Sequence, residues 1–288
     1  MKSIYALGAY ASTTLFVLLW SSGAIFAKWG LEHSSAFAFL LLRFALAFGA
    51  LLLIGLYRKR FLPASGTRGR VAATGLLMIG SYSICYLLAL DNGITPGVLA
   101  TLLGVQPILT LLLIERRFPA SRLLGLGLAL AGLVLVVLQS LLKANFSIVG
   151  ITFALGALLS VTSGAILQKS IQQEPAQVLP LQYAISLMLC LAVAPSQAFH
   201  FEKSIGFLIP LLWLGLVISV VAQLLLYRLI RAGNLVNVTS LFYLVPVVTA
   251  VMDYVFLGNL LSSLSVLGML AILLGLALVF RRANATST

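Results

Sequence analysis

Acidic residues are almost missing from this chain. Asp and Glu number 6 in 288 residues against 18 Lys and Arg, and all charged types together make up 8%. Soluble domains carry about 25% charged residues, so a water-soluble enzyme is excluded. The shortage also removes most catalytic options. The chain has no HExxH helix, no Gly-rich phosphate loop and no pair of aspartates within an apolar run. An intramembrane hydrolase and an ATP-driven pump both lack their parts. Cysteine is scarce too: Cys85 and Cys190 lie in apolar runs with no Cys or His at metal-ligand spacing. They read as buried small side chains, and neither a metal nor a cofactor is expected. The two histidines, His33 and His200, fall in loops. Period-two alternation is absent, which excludes a membrane β-barrel.

What is present is apolar. Hydrophobic residues make up 61%, and mean hydropathy is +1.14. A helix needs about 20 apolar residues to cross the hydrocarbon core. Ten runs qualify: 8–29, 36–57, 70–90, 97–114, 122–142, 149–168, 178–197, 206–230, 236–256 and 262–280. The first is too long for an ordinary signal-peptide core and reads as the first span. All connections are short, the longest running from Arg58 to Gly69, so any binding group must come from the spans or their ends. The net charge of +12 would suggest nucleic acid in a soluble protein. Here the basic residues sit in short loops and set orientation instead. Fourteen fall on one side: Lys2, Arg58, Lys59, Arg60, Arg68, Arg70, Arg116, Arg117, Arg122, Lys169, Arg228, Arg231, Arg281 and Arg282. The other side holds Lys143 and Lys203. The expectation is an all-α integral membrane protein with both termini cytoplasmic and no nucleic-acid partner.

The sequence also repeats itself at an offset near 140 residues. Ser22-Gly23-Ala24-Ile25-x-x-Lys28 returns as Ser163-Gly164-Ala165-Ile166-x-x-Lys169. Tyr86 matches Tyr227, Gly93 matches Gly233, and Leu102, Pro107 and Thr110 match Leu241, Pro246 and Thr249. Gly125 and Gly132 match Gly268 and Gly275 after a short insertion. The unit spans five helices, residues 1–143 and then 144–288. Five is odd, so the second copy is expected to enter the membrane from the opposite side. Inverted five-helix repeats around a central cavity are a transporter architecture, with the substrate site near the midplane.

These features resemble the drug/metabolite transporter superfamily, EamA type. The resemblance rests on ten spans in two halves, the proline of span four followed by Glu115, the proline of span nine, and the Gly-x6-Gly of spans five and ten. It covers essentially the whole chain and is particularly close to YddG-type exporters of aromatic amino acids. It implies a basket of ten helices around a cavity. In the second half Tyr254 stands where Glu115 would recur, with Asp253 beside it.

Charges within spans carry the first functional expectation, since an arginine at the centre of a spanning helix costs about 2.5–3.5 kcal/mol on insertion scales. Arg43 lies seven residues into span two. It either faces the cavity and orients a substrate carboxylate, or snorkels to the interface. Asp253 is either a proton site or an interfacial group. Glu115, beside Arg116 and Arg117, reads as part of a surface ion cluster. Lys28 and Lys169 end matching spans and suit either a gate or an anchor. The second expectation comes from aromatic and amide residues at span depth: Trp20, Tyr82, Tyr86, Gln106, Tyr227 and Tyr243, with Gln168, Gln182 and Gln223 beside them. Unpaired amides are costly in hydrocarbon, so these residues either line a cavity or bond helix to helix. Pro107 and Pro246 break two matching spans and are expected to mark a hinge or the site. The glycine pairs of spans five and ten read as tight packing, or as a dimer face.

Together these features point to a bacterial inner-membrane secondary transporter. It would export amino acids, aromatic ones foremost, by alternating access. Substrate would contact Trp20, Arg43, Tyr82, Tyr86, Gln106, Tyr227 and Tyr243. A monomer suffices because the repeat is internal, and the partners are the substrate and the lipid bilayer. Export of another metabolite or drug, a lipid-handling role and a non-transporting scaffold remain open alternatives.

Overall fold

The computed structural model describes residues 2–59, 61–115, 118–142, 147–257 and 262–281; the side chains at 2–10, 139, 140, 253, 256, 257 and 281 lie outside the described set. Arg60, Arg116, Arg117, Lys143 and Arg282, all counted above for orientation, also lie outside it. Of Asp253, only the backbone is described.

The described residues form a succession of helices. The spanning ones are α1 (Ala11–Leu31), α2 (Ala36–Tyr57), α3 (Ser65–Asp91), α4 (Pro96–Ile114), α6 (Ile148–Lys169), α7 (Pro175–Ser196), α8 (Ile205–Ala232), α9 (Leu235–Met252) and α10 (Ser263–Phe280). Among the described residues these nine are long and apolar enough to cross a membrane. The fifth apolar run behaves differently. Its helix, α5 (Ala120–Val136), has 17 residues, and a one-turn helix, Leu138–Leu142, follows after a break at Val137. Neither proline nor glycine marks that break. The only bridge pairing among the described residues is an isolated antiparallel one between Ser34 and Phe201.

Local chemistry sets the helix ends. The Thr95 hydroxyl accepts the Val98 N–H at 3.4 Å, with Pro96 in the first turn of α4. Ser204 caps α8 through the Phe207 N–H at 3.2 Å, and Asn234 caps α9 through the Asn237 N–H at 3.2 Å. Each cap satisfies a donor the helix leaves orphaned. At the end of α3, Gly93 adopts φ +85°. Its N–H donates to Leu90 O at 3.0 Å and the Ile94 N–H donates to Ala89 O at 3.1 Å. That double bond is the Schellman stop, and its left-handed residue favours glycine.

The chain divides into two compact units, Met1–Leu87 with Ser163–Ala232, and Leu88–Thr162 with Gly233–Thr288. Each unit takes helices from both sequence halves. The first has a core of Phe39, Phe207, Leu214, Ile218 and Ala222. Small residues bring its helices close: a Cβ added at Gly75 would lie 2.5 Å from Gln182 Cα, and one at Gly164 would lie 2.5 Å from Met78 Cβ. Two of its loops pair: the Ser35 N–H donates to His200 O and the Glu202 N–H to His33 O, both at 2.9 Å. The Lys169 ammonium donates to Ile230 O at 2.8 Å and Arg231 O at 3.0 Å. It thus places a cation at the negative end of α8. Lys28, its counterpart in the repeat, is exposed.

The second unit is built on the meeting of α5 and α10. A Cβ at Gly125 would sit 2.7 Å from Gly275 O, and one at Gly132 would sit 2.5 Å from Gly268 O. The repeated glycines therefore face one another and occupy each other's surface. Leu126, Ala129, Leu133, Ile272 and Leu276 fill the seam, with Leu111, Val236 and Tyr243 packed against it.

Candidate functional site

In the first unit, α3 and α8 each widen into a π-helical segment, Gly75–Ser81 and Trp213–Ala222. The Tyr82 N–H reaches back five residues to Leu77 O, and the Gln223 N–H likewise to Ile218 O. The pairing of Tyr86 with Tyr227 carries Tyr82 onto Gln223, so both segments close at the same repeat position. π-turns inside α-helices concentrate at functional sites. Nothing in the apolar letters of either segment announces them.

Arg43 enters this unit from α2. Its Nε donates to Ser219 Oγ at 2.8 Å, and Ser219 lies within the π-helical part of α8. Ser219 is fully buried and also bonds the Tyr183 side chain of α7. Tyr82 and Tyr183 lie within electrostatic reach of the guanidinium. Tyr82 and Tyr86, one turn apart, hold their ring centroids 6.0 Å apart. The edge of Phe44 meets Tyr183 at 5.8 Å. Among the described residues Arg43 has no carboxylate partner, and its remaining guanidinium N–H groups make no hydrogen bond. Arg43, Tyr82 and Tyr86 are only half-buried. The result is a fixed cation with free donors beside two aromatic faces.

Tyr227, from the same expected set, has another setting. It is fully buried, and its hydroxyl donates to Gln182 Oε1 at 2.7 Å. The Gln182 amide donates in turn to Gln168 Oε1 at 3.0 Å. Ser186 donates to Gly75 O at 3.0 Å and to Gln182 O at 2.8 Å. This string ties α3, α6, α7 and α8 and satisfies amides that hydrocarbon would penalise. Trp20 is half-buried on α1, 5.4 Å from the Phe16 ring, and packs on the Phe39 cluster.

Gln106, Pro107, Tyr243 and Pro246 belong to the second unit. Helix α4 breaks at Gly104–Val105, and Pro107 stands in the first turn of the segment that follows. Helix α9 tightens into a 3-10 turn at Leu241–Tyr243, just before Pro246. The Tyr243 hydroxyl donates to Gly104 O, so one break is bonded to the other. Gln106 and Tyr243 are buried, at 6% and 1% exposure. The same unit holds Glu115, whose carboxylate accepts Arg122 Nη1 at 2.6 and 2.7 Å. Arg122 Nη2 donates to Asn234 Oδ1 at 2.8 Å and Asn237 Oδ1 at 2.7 Å. The Glu115 and Arg122 side chains are 17% and 12% exposed. The open surface cluster expected for Glu115 is instead an enclosed ion pair joining α4, α5 and α9.

The structure thus brings Arg43, Tyr82 and Tyr86 together and adds Tyr183 and Ser219, which the sequence reading passed over. Ser219 is one hydroxyl in a Val/Ile/Leu run, and Tyr183 was overshadowed by its neighbour Gln182. No three His, Cys, Asp or Glu converge among the described residues.

Comparison with known proteins agrees with this build. Among solved structures 29 chains match. One protein crystal structure superposes with a TM-score of 0.81 over 98% of this chain and 99% of that one, at 16% identity, a likeness of fold. No curated protein matches. The model of the EamA-like transporter family matches twice, at residues 8–138 and 148–281. With both halves matched, the chain belongs to the EamA-like transporter family, a family of small-molecule membrane transporters and not of enzymes.

Proposed function

We propose that this transporter exports amino acids, aromatic ones foremost, across the bacterial inner membrane by alternating access. The observation that carries the substrate class is Arg43, a cation at span depth held by Ser219 with its other donors free. A substrate carboxylate supplies the missing anion through charge-assisted hydrogen bonds. Tyr82 and Tyr86 offer ring faces to an aromatic side chain, where stacked or edge contacts add about 0.5–1.5 kcal/mol. The repeat supports the mechanism: two related halves inserted in opposite senses can exchange two conformations, one open to each side.

The test is uptake of labelled phenylalanine or tryptophan into proteoliposomes, with and without a pH gradient, by wild type and Arg43→Ala. Phenylalanine should compete and phenethylamine, which lacks the carboxylate, should not. Equal competition by both would reject the carboxylate reading. No uptake from folded wild-type protein would reject the amino-acid reading. Uptake that ignores the gradient marks a uniporter; dependence on it marks proton exchange.

A further inference from the structure

On the basic side of the chain, the first unit carries a groove of about 470 Å³ between α2, the start of α7 and α8. It lies apart from Arg43 in the chain, and the proposed transport does not use it. Two helices line it with the same pattern. On α2, Ile54 is followed four residues later by Arg58; on α8, Leu224 is followed four residues later by Arg228. Residues four apart share a helix face about 6 Å apart along the axis. Both helices end at the basic side, so each places an apolar side chain deeper and an arginine one turn outward. Arg58 and Arg228 are exposed and have neither an ion pair nor a hydrogen bond among the described residues. The nearest acid in sequence, Glu174, is engaged by Arg231 at 2.9 Å. The third wall is Ala176, in the first turn of the 19-residue helix Pro175–Val193, where the positive helix end favours an anion. The fourth side is apolar and open: Leu53 is 69% exposed and Tyr57 91%.

We infer that this groove is a binding site for the headgroup of an anionic phospholipid, its phosphate between Arg58 and Arg228 and its acyl chain along Ile54, Leu53 and Leu224. Two unpaired arginines select the charge. The apolar wall one turn deeper selects a lipid over a free anion, and Tyr57 stands at headgroup level, where tyrosine is enriched. Basic pockets between spanning helices hold such headgroups.

The experiment is native mass spectrometry of the full chain from detergent, with added phosphatidylglycerol, phosphatidylcholine or inorganic phosphate. Wild type should retain one phosphatidylglycerol and little phosphatidylcholine. Arg58→Gln/Arg228→Gln should lose that lipid by about tenfold or more, on the strength of two charge-assisted contacts. Arg68→Gln/Arg70→Gln removes equal charge outside the groove and should retain it. Each single variant, Arg58→Gln and Arg228→Gln, should show an intermediate loss, which covers the case of a misfolded double variant. Equal retention of both lipids, unchanged retention in the groove variants, or equal loss in the control pair would overturn the site. Phosphate that displaces the lipid at millimolar concentration would assign the groove to a free anion instead.

Discussion

The two compact units differ in how they treat a charged side chain within the apolar helices. The second unit pairs Arg122 with Glu115, although Arg122 Nε and Thr162 Oγ1 are buried there without a hydrogen-bond partner among the described residues. Its glycines meet backbone to backbone, Tyr243 bonds Gly104, and both terminal nitrogens of Arg122 are taken up by Glu115, Asn234 and Asn237. The first unit leaves groups open. Arg43 spends one donor on Ser219, Tyr82 and Tyr86 stay half-buried, and two helices loosen into π turns. An uncompensated cation in hydrocarbon is costly, and under the proposed function the substrate carboxylate is what offsets that cost at Arg43. Under the proposed function the first unit binds and the second supports.

Substitutions break or sharpen that contrast. The largest effect is expected in the scaffold. Gly132→Leu places a Cβ 2.5 Å from Gly268 O and 2.8 Å from Ile272 N, backbone atoms that cannot yield cheaply. Overpacking of this kind costs about 1–3 kcal/mol or more, and the folded yield on size-exclusion chromatography should collapse. Gly127→Leu, with nothing within 4 Å, should leave it unchanged. Next, Arg122→Ala leaves the partly buried Glu115 carboxylate with only the Asn234 amide at 3.0 Å and should lower thermal stability by about 3 kcal/mol, whereas Arg43→Ala should leave stability within about 1 kcal/mol and abolish transport. The reverse pattern, with Arg43 destabilising and Arg122 neutral, would dissolve the contrast. Ser219→Ala frees the guanidinium to turn and should raise the transport KM about tenfold or more at unchanged maximal rate, the cost of one hydrogen bond to a charged group, about 1.5–3 kcal/mol. Smallest, Tyr227→Phe removes one neutral bond to Gln182 and should cost about 1 kcal/mol of stability without changing substrate preference.

Much of the architecture was legible because the bilayer imposes a length rule on every span. The prolines at 107 and 246 announced breaks, and the glycines of the fifth and tenth runs announced close packing, because each acts through its own backbone. The end of α5 at Val136 was not legible, since Val137, Leu138, Leu141 and Leu142 carry the apolar run on past it. Nor were the π segments, which depend on how a helix is gripped by its neighbours. The grouping of the candidate residues was readable in part. Arg43 stood out by its cost, but its partner Ser219 is 176 residues away and has no local signature. The amides at 168 and 182 plainly required partners; that they would find each other, and take Tyr227 with them, is a property of packing.

The matched π segments have a consequence for phase. A helix that bonds to the fifth residue rather than the fourth carries one residue of slack, and a residue turns an α-helix by about 100°. A helical wheel drawn straight through Gly75–Ser81 or Trp213–Ala222 therefore points everything beyond the segment in the wrong direction. Tyr82 and Tyr86 on one helix, and Gln223 and Tyr227 on the other, owe their headings to that slip. Both slips close at one repeat position, so the two helices take up the α thread again at matching residues, as two screws with a missed thread ending at the same mark.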